Sequence, residues 1–174
     1  MRSLLLLATL AIGGAAIADT PPPATQAVDV RANMVEGINP AALAIWDVGN
    51  AATDDNGALD PAQMDAAAWA KVKEAADSLA TYAHRLATAK TIHASGPDLV
   101  DGKVPEGVSS KQQIQAMIDA NPAGFHASAA NMEQQAQALA AAAGKRDLKA
   151  AGDLIATFDQ ACQACHQAYW YLKE

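Results

Sequence analysis

Cysteine is nearly absent from this chain: there are two in 174 residues, Cys162 and Cys165, so no disulfide framework exists. A bridge between them would close too small a loop to stabilise much. With no second Cys/His cluster, a closed tetrahedral zinc site is excluded as well. Basic residues are also scarce, 12 Lys and Arg against 19 Asp and Glu, a formal charge of -7 that argues against nucleic acid as a partner. Aromatic residues make up only 5% while hydrophobic residues reach 51%, and alanine dominates the difference. So alanine-rich and strand-poor a composition favours helices packed closely along small residues. Long hydrophobic runs are missing beyond the N-terminus, where the stretch from Leu4 to Ile17 is too short for a comfortable membrane span.

That first stretch has another use. Arg2 precedes it, small residues stand at Ala16 and Ala18, and polar, proline-rich sequence follows, the pattern of a secretory signal at 1–18 cut after Ala18. No cysteine follows the cut, so a lipid anchor is not expected, and the mature chain should be soluble and periplasmic, without stable membrane insertion. Its length, about 155 residues, suits one domain with one core. Residues 19–27 read as an extended lead-in, and 28–174 as the folded domain, with no internal repeat.

Four apolar stripes step by threes and fours through that domain. Met34, Ile38, Ala41, Ile45 and Val48 form the first, which Pro40 should kink or loosen. Trp69, Val72, Ala76, Leu79, Ala83 and Leu86 form the second, after an Asp60-Pro61 start that suits a cap and first helical position. Phe125, Ala129, Met132, Ala136, Leu139 and Ala143 form the third. Leu148, Ala151, Ile155, Phe158, Cys162, Cys165, Tyr169 and Leu172 form the fourth. A polar loop at 95–109 separates the second and third, followed by a short helix from Lys111 to Ala120 with Ser109 or Ser110 as its cap. The simplest solution is all-α, an antiparallel up-down-up-down four-helix bundle.

The run Cys162-Gln163-Ala164-Cys165-His166 carries the chemistry. Two thiols at this spacing reach the two vinyl groups of one porphyrin while the adjacent imidazole reaches its iron, which is the attachment signature of c-type haem. A thioredoxin-like use would need a strand upstream, where this sequence is helical. Both cysteines fall on the fourth core stripe, so a haem c held there wedges between helices.

An alanine-rich, exported, four-stripe chain with this motif near its C-terminus resembles the class II c-type cytochromes, the cytochrome c prime family and its low-spin relatives. The resemblance implies haem thioethers at Cys162 and Cys165, a proximal iron ligand at His166, and a sixth position either vacant or filled from the first helix. Arg31 and Met34 match the Arg-x-x-Met pattern of low-spin members, in which the methionine sulfur ligates iron, and antiparallel topology brings Met34 to the level of the haem. The competing reading of Met34 is plain packing. His84, His93 and His126 reach the same level; His84 and His126 flank core positions, and His93 continues the second stripe only if that helix lasts so far.

Trp46 and Trp69 read as packing residues, and Tyr169 or Trp170 as a neighbour of the porphyrin. Where relatives often carry a basic residue after the aromatic, Trp170 stands, and Lys173 is the nearest basic group. Two functions follow. With Met34 as ligand, the protein is an electron carrier that meets a redox partner transiently; with the sixth site open, it binds nitric oxide or carbon monoxide. An enzyme is not expected, since the first stripe offers no polar group for oxygen-bond cleavage. Relatives of this architecture often pair through helix faces, which leaves a homodimer open.

Overall fold

A computed structural model describes residues 27–97 and 103–172. The signal at 1–18, nearly all of the lead-in at 19–27, the middle of the 95–109 loop and Lys173 therefore lie outside the described residues.

The second, third and fourth stripes each become one helix: α3 (Ala66–Thr88), α5 (Pro122–Lys145) and α6 (Leu148–Tyr169). The first stripe is built in three pieces, α1 (Val30–Asn33), a π-helical turn (Met34–Ile38) and α2 (Asn39–Ala52). A short α4 (Lys111–Ala120) precedes α5. Side-chain contacts fix the directions. His84 meets Glu133 and His126 meets the Leu86 carbonyl, so α3 and α5 run antiparallel. Asp47 against Lys71 and Asn33 against Tyr82 do the same for α2 and α3. Trp46 packs on Phe158, and a Cβ at Gly49 would stand 2.7 Å from Ile155 Cγ2, so α2 and α6 are antiparallel and close. Phe125 lies on Tyr169 across α5 and α6. At the axis sit Ile45, Leu79 and Val72 among the alanines Ala76, Ala83, Ala136 and Ala151, all 0% exposed. Alanine there gives up no side-chain entropy and lets helices approach.

Three expectations need correction. The second helix starts at Ala66, not Asp60. Asp60 caps a tight turn instead, accepting from the Ala62 N–H at 2.8 Å, and Asp65 caps α3 by accepting from the Ala68 N–H at 2.8 Å. That helix also stops before His93. Lys90 is exposed, and Thr91–His93 form β2, paired in parallel with β1 (Ala27–Asp29), so the fold is mostly helical with a small sheet. The β-branched Ile92 and Val28 are buried by that pairing, which a continued helix would not achieve. Leu172, read as the last residue of the fourth stripe, is 49% exposed beyond the end of α6.

Pro40 loosens its helix in a specific way. The Asn39 N–H reaches back to the Met34 carbonyl, five residues away, and this wider turn places Pro40 at the first positions of α2, where its missing donor and its ring do least harm.

A strap formed by residues 91–97 and 103–110 ties three distant segments together. Asp29 caps α1 through the Ala32 N–H at 2.7 Å and also accepts from the Ser95 N–H and hydroxyl. The Lys111 ammonium donates to the Gly96 carbonyl at 2.8 Å, the Ser109 N–H donates to the Trp170 carbonyl at 2.8 Å, and the Leu172 N–H donates to the Gly107 carbonyl at 3.1 Å. Burial works to raise the Asp29 carboxyl, but the hydrogen bonds from Ser95 and Ala32 outweigh it and hold the group below its ordinary value. A carboxylate depressed on folding stabilises above its unfolded pKa and loses that contribution as pH falls through the folded one. Protection of the Ser95 amide, measured against its intrinsic exchange rate, is therefore expected to fall as pH drops below about 4, and Asp29→Asn to flatten that dependence; identical protection profiles in the two proteins would refute the tie.

Candidate functional site

On α6 the cap, the stripe and the motif are continuous. Asp147 accepts from the Ala150 N–H at 3.0 Å, and from there Phe158, Cys162, Cys165 and Tyr169 follow one face. Cys162 is buried and Cys165 half-buried, both as free thiols. Burial pushes each up to about 11, with the nearby Asp159 adding to the effect at Cys162, so both are neutral near pH 7. Burial also lowers His166, against an opposing pull from Asp159, which keeps the imidazole neutral and its lone pair available. Its ring is held by Trp170 at 5.9 Å and by the edge of Tyr171 at 6.2 Å.

These residues face a cavity of about 360 Å³, within the roughly 300–1,000 Å³ usual for ligand sites. Cys162, Cys165, His166, Tyr169 and Trp170 form one wall, and Met34, Ile38 and Trp46 are part of that contributed by the first helical segment. Leu86 comes from α3, Phe125 and Met132 from α5, and Pro97, Val104 and Ser109 from the strap. All four residues singled out as haem or iron ligands thus meet at one space. The other three histidines do not line it: the His84 Nδ1 pairs with Glu133 at 3.1 Å, the His126 Nδ1 lies 2.9 Å from the Leu86 carbonyl oxygen, and His93 is exposed on β2. Trp69 is core, whereas Trp46 both packs on Phe158 and lines the cavity.

The polar atoms of the wall suit a ligand with an anionic edge. The Nε of Arg31 is buried with no hydrogen-bond partner among the described residues. An orphaned buried donor costs about 1–3 kcal/mol, which an acceptor on a ligand would relieve. Lys111 is also in the wall, as is Ser109, 4% exposed. Apolar walls, two thiols one helical turn apart, an adjacent neutral imidazole and a free guanidinium N–H together fit a covalently held porphyrin with carboxylate substituents.

Sequence reasoning assigned Arg31 only to its spacing from Met34, and missed Ser109, Lys111 and Met132 as wall residues. Ser109 had a visible signal, two adjacent serines before a helix. Ser110 takes the cap, with Gln113 completing a capping box, which frees Ser109 to turn inward. Met132 lay on its stripe, but nothing local separates a cavity-lining methionine from a packed one.

A family model described as Cytochrome C' matches residues 68–170. That span includes Cys162, Cys165 and His166 and leaves out Arg31 and Met34. No curated protein and no solved structure matches the chain.

Proposed function

The chain belongs to the cytochrome C' family, and from that premise we propose that it is a periplasmic electron carrier whose haem iron is held by His166 and Met34. Membership implies a c-type cytochrome with covalently bound haem c and iron; the iron supplies a one-electron couple. The observation that carries the rest is the convergence of Cys162, Cys165, His166 and Met34 on one apolar cavity.

Each residue then has a task. Cys162 and Cys165 hold the porphyrin through thioethers, so the group stays with the chain without depending on the strength of any iron bond. His166 presents a neutral imidazole braced by Trp170 and Tyr171. Met34 offers a polarisable sulfur from the first helix, and thioether ligation raises the potential of such a site. Arg31 meets carboxylate substituents with its unpartnered Nε, and the apolar side chains keep water away. We read the antiparallel pairs of α2, α3, α5 and α6 as an up-down-up-down four-helix bundle, which sets the first helix opposite the last.

On this reading the protein carries electrons and is not an enzyme. No described helix is long and apolar enough to cross a membrane; the signal read at residues 1–18 is what supports an exported protein. A redox partner would meet it at a small, transient interface, and pairing of two copies through helix faces is compatible with the proposal.

An absorption spectrum tests the ligand set. The untouched protein is expected to show the weak far-red band of sulfur-to-iron charge transfer, and Met34→Ala to lose it. A high-spin spectrum in the untouched protein would overturn methionine ligation and favour the other reading, an open sixth site for nitric oxide or carbon monoxide.

A further inference from the structure

We propose that Tyr82, which touches no part of the cavity, is a positioning residue that aims Met34 by locking the π-helical turn at Met34–Ile38; the inference rests on Met34 being the sixth ligand.

Three contacts build the lock. Gly37 sits in the middle of the turn, and a Cβ there would fall on the carbons of the Tyr82 ring, so the backbone of this turn lies directly against that ring. Asn33, 4% exposed, donates from its side-chain amide to the Tyr82 carbonyl at 3.0 Å, anchoring the residue just before Met34. The Arg85 guanidinium lies 4.3 Å from the centroid of the Tyr82 ring, limiting the movement of the ring from α3 itself. Asn33 and Tyr82 are both absent from the cavity wall, whereas Met34 and Arg31 are in it.

The turn matters because of what it does to everything before it. A π turn holds one more residue than an α turn, so it rotates the preceding segment by about 100° around the helix axis relative to an unbroken helix. That rotation brings Asn33 into the core and leaves Met34 half-buried in the cavity wall. If the turn relaxed to α-helical form, Met34 would rotate by the same angle onto the face of Ile38, Ala41 and Ile45, and its sulfur would leave its present place in the cavity wall. Pro40 makes the wide turn tolerable, and the Gly37–Tyr82 contact fixes where it sits.

The test compares holoproteins by the far-red sulfur-to-iron band and by amide exchange at Asn39, whose N–H bonds to the Met34 carbonyl. Gly37→Ala and Tyr82→Ala are expected to lose the band and speed exchange at Asn39 while covalent haem remains. Tyr82→Phe, which keeps the ring, should retain both properties. Leu139→Ala, a core truncation 1% exposed and outside the cavity wall, is the control and should keep the band despite its loss of stability. A band that persists in Tyr82→Ala and Gly37→Ala, or that disappears equally in Leu139→Ala, overturns the lock and leaves methionine ligation standing. A band missing from the untouched protein overturns ligation and the lock together.

Discussion

Replacing Cys162 and Cys165 together by serine is expected to abolish covalent haem entirely. The chain has no other thiol to take their place, and a serine hydroxyl is no substitute for a thiol in a thioether link. Cys162 and Cys165 project from consecutive positions of one core stripe into the same cavity, so each single replacement should leave one link and a stained band. His166 and the apolar walls remain in the double variant, so the group could still bind without being tethered. A denaturing gel separates those cases, because only a covalent adduct survives it. The double variant should show full-length protein without haem stain, and its intact mass should lack the added group. A fully stained band from the double variant would overturn the attachment sites, and with them the reading of Cys162–His166 as one unit.

How much of this was legible in advance depended on the range of the interaction that decides each element. The helical stripes are local, and Val72, Leu79, Phe125 and Phe158 lie in the core as their periodicity implied. The CxxCH run is local too, and its reading rests on spacing alone. Elements set by distant partners were not legible. β1 and β2 are three residues each and meet across more than sixty positions of sequence, so neither shows a period of its own. Pro40 announced a disturbance, but its form depends on Tyr82 filling the space that Gly37 leaves. For the same reason Asn33 gave no sign of being buried: an unbroken 3.6-residue period places it beside the core, and only the wider turn rotates it inward. Asp60 and Asp65 show a finer ambiguity. Both have cap chemistry, and the choice between them fell to the tight turn that Pro61 and its neighbours form.

Phe158→Ala should be among the most destabilising single changes outside the cavity wall. The side chain is 2% exposed, packs edge-on against Trp46 with centroids 5.8 Å apart, and joins α6 to α2, a pair that otherwise meets through the close approach at Gly49. Truncating a buried phenylalanine costs about 3–5 kcal/mol, from the lost transfer of the ring and from the void it leaves. That is a large share of the roughly 5–15 kcal/mol that holds a domain of this kind together. The void should not close, because Trp46 is already braced on the cavity side and the alanines around the axis have no side chain to move into it. Phe158→Leu refills most of the space and should cost markedly less. Denaturant unfolding of the holoprotein, followed by helical signal, measures both. Because Phe158 lies one turn before Cys162 but does not line the cavity, haem staining should be unchanged while the midpoint falls. A loss below about 1 kcal/mol with an unchanged slope would show that α2 and α6 collapse together, and that the gap between them, not the ring, is the adjustable part of this core.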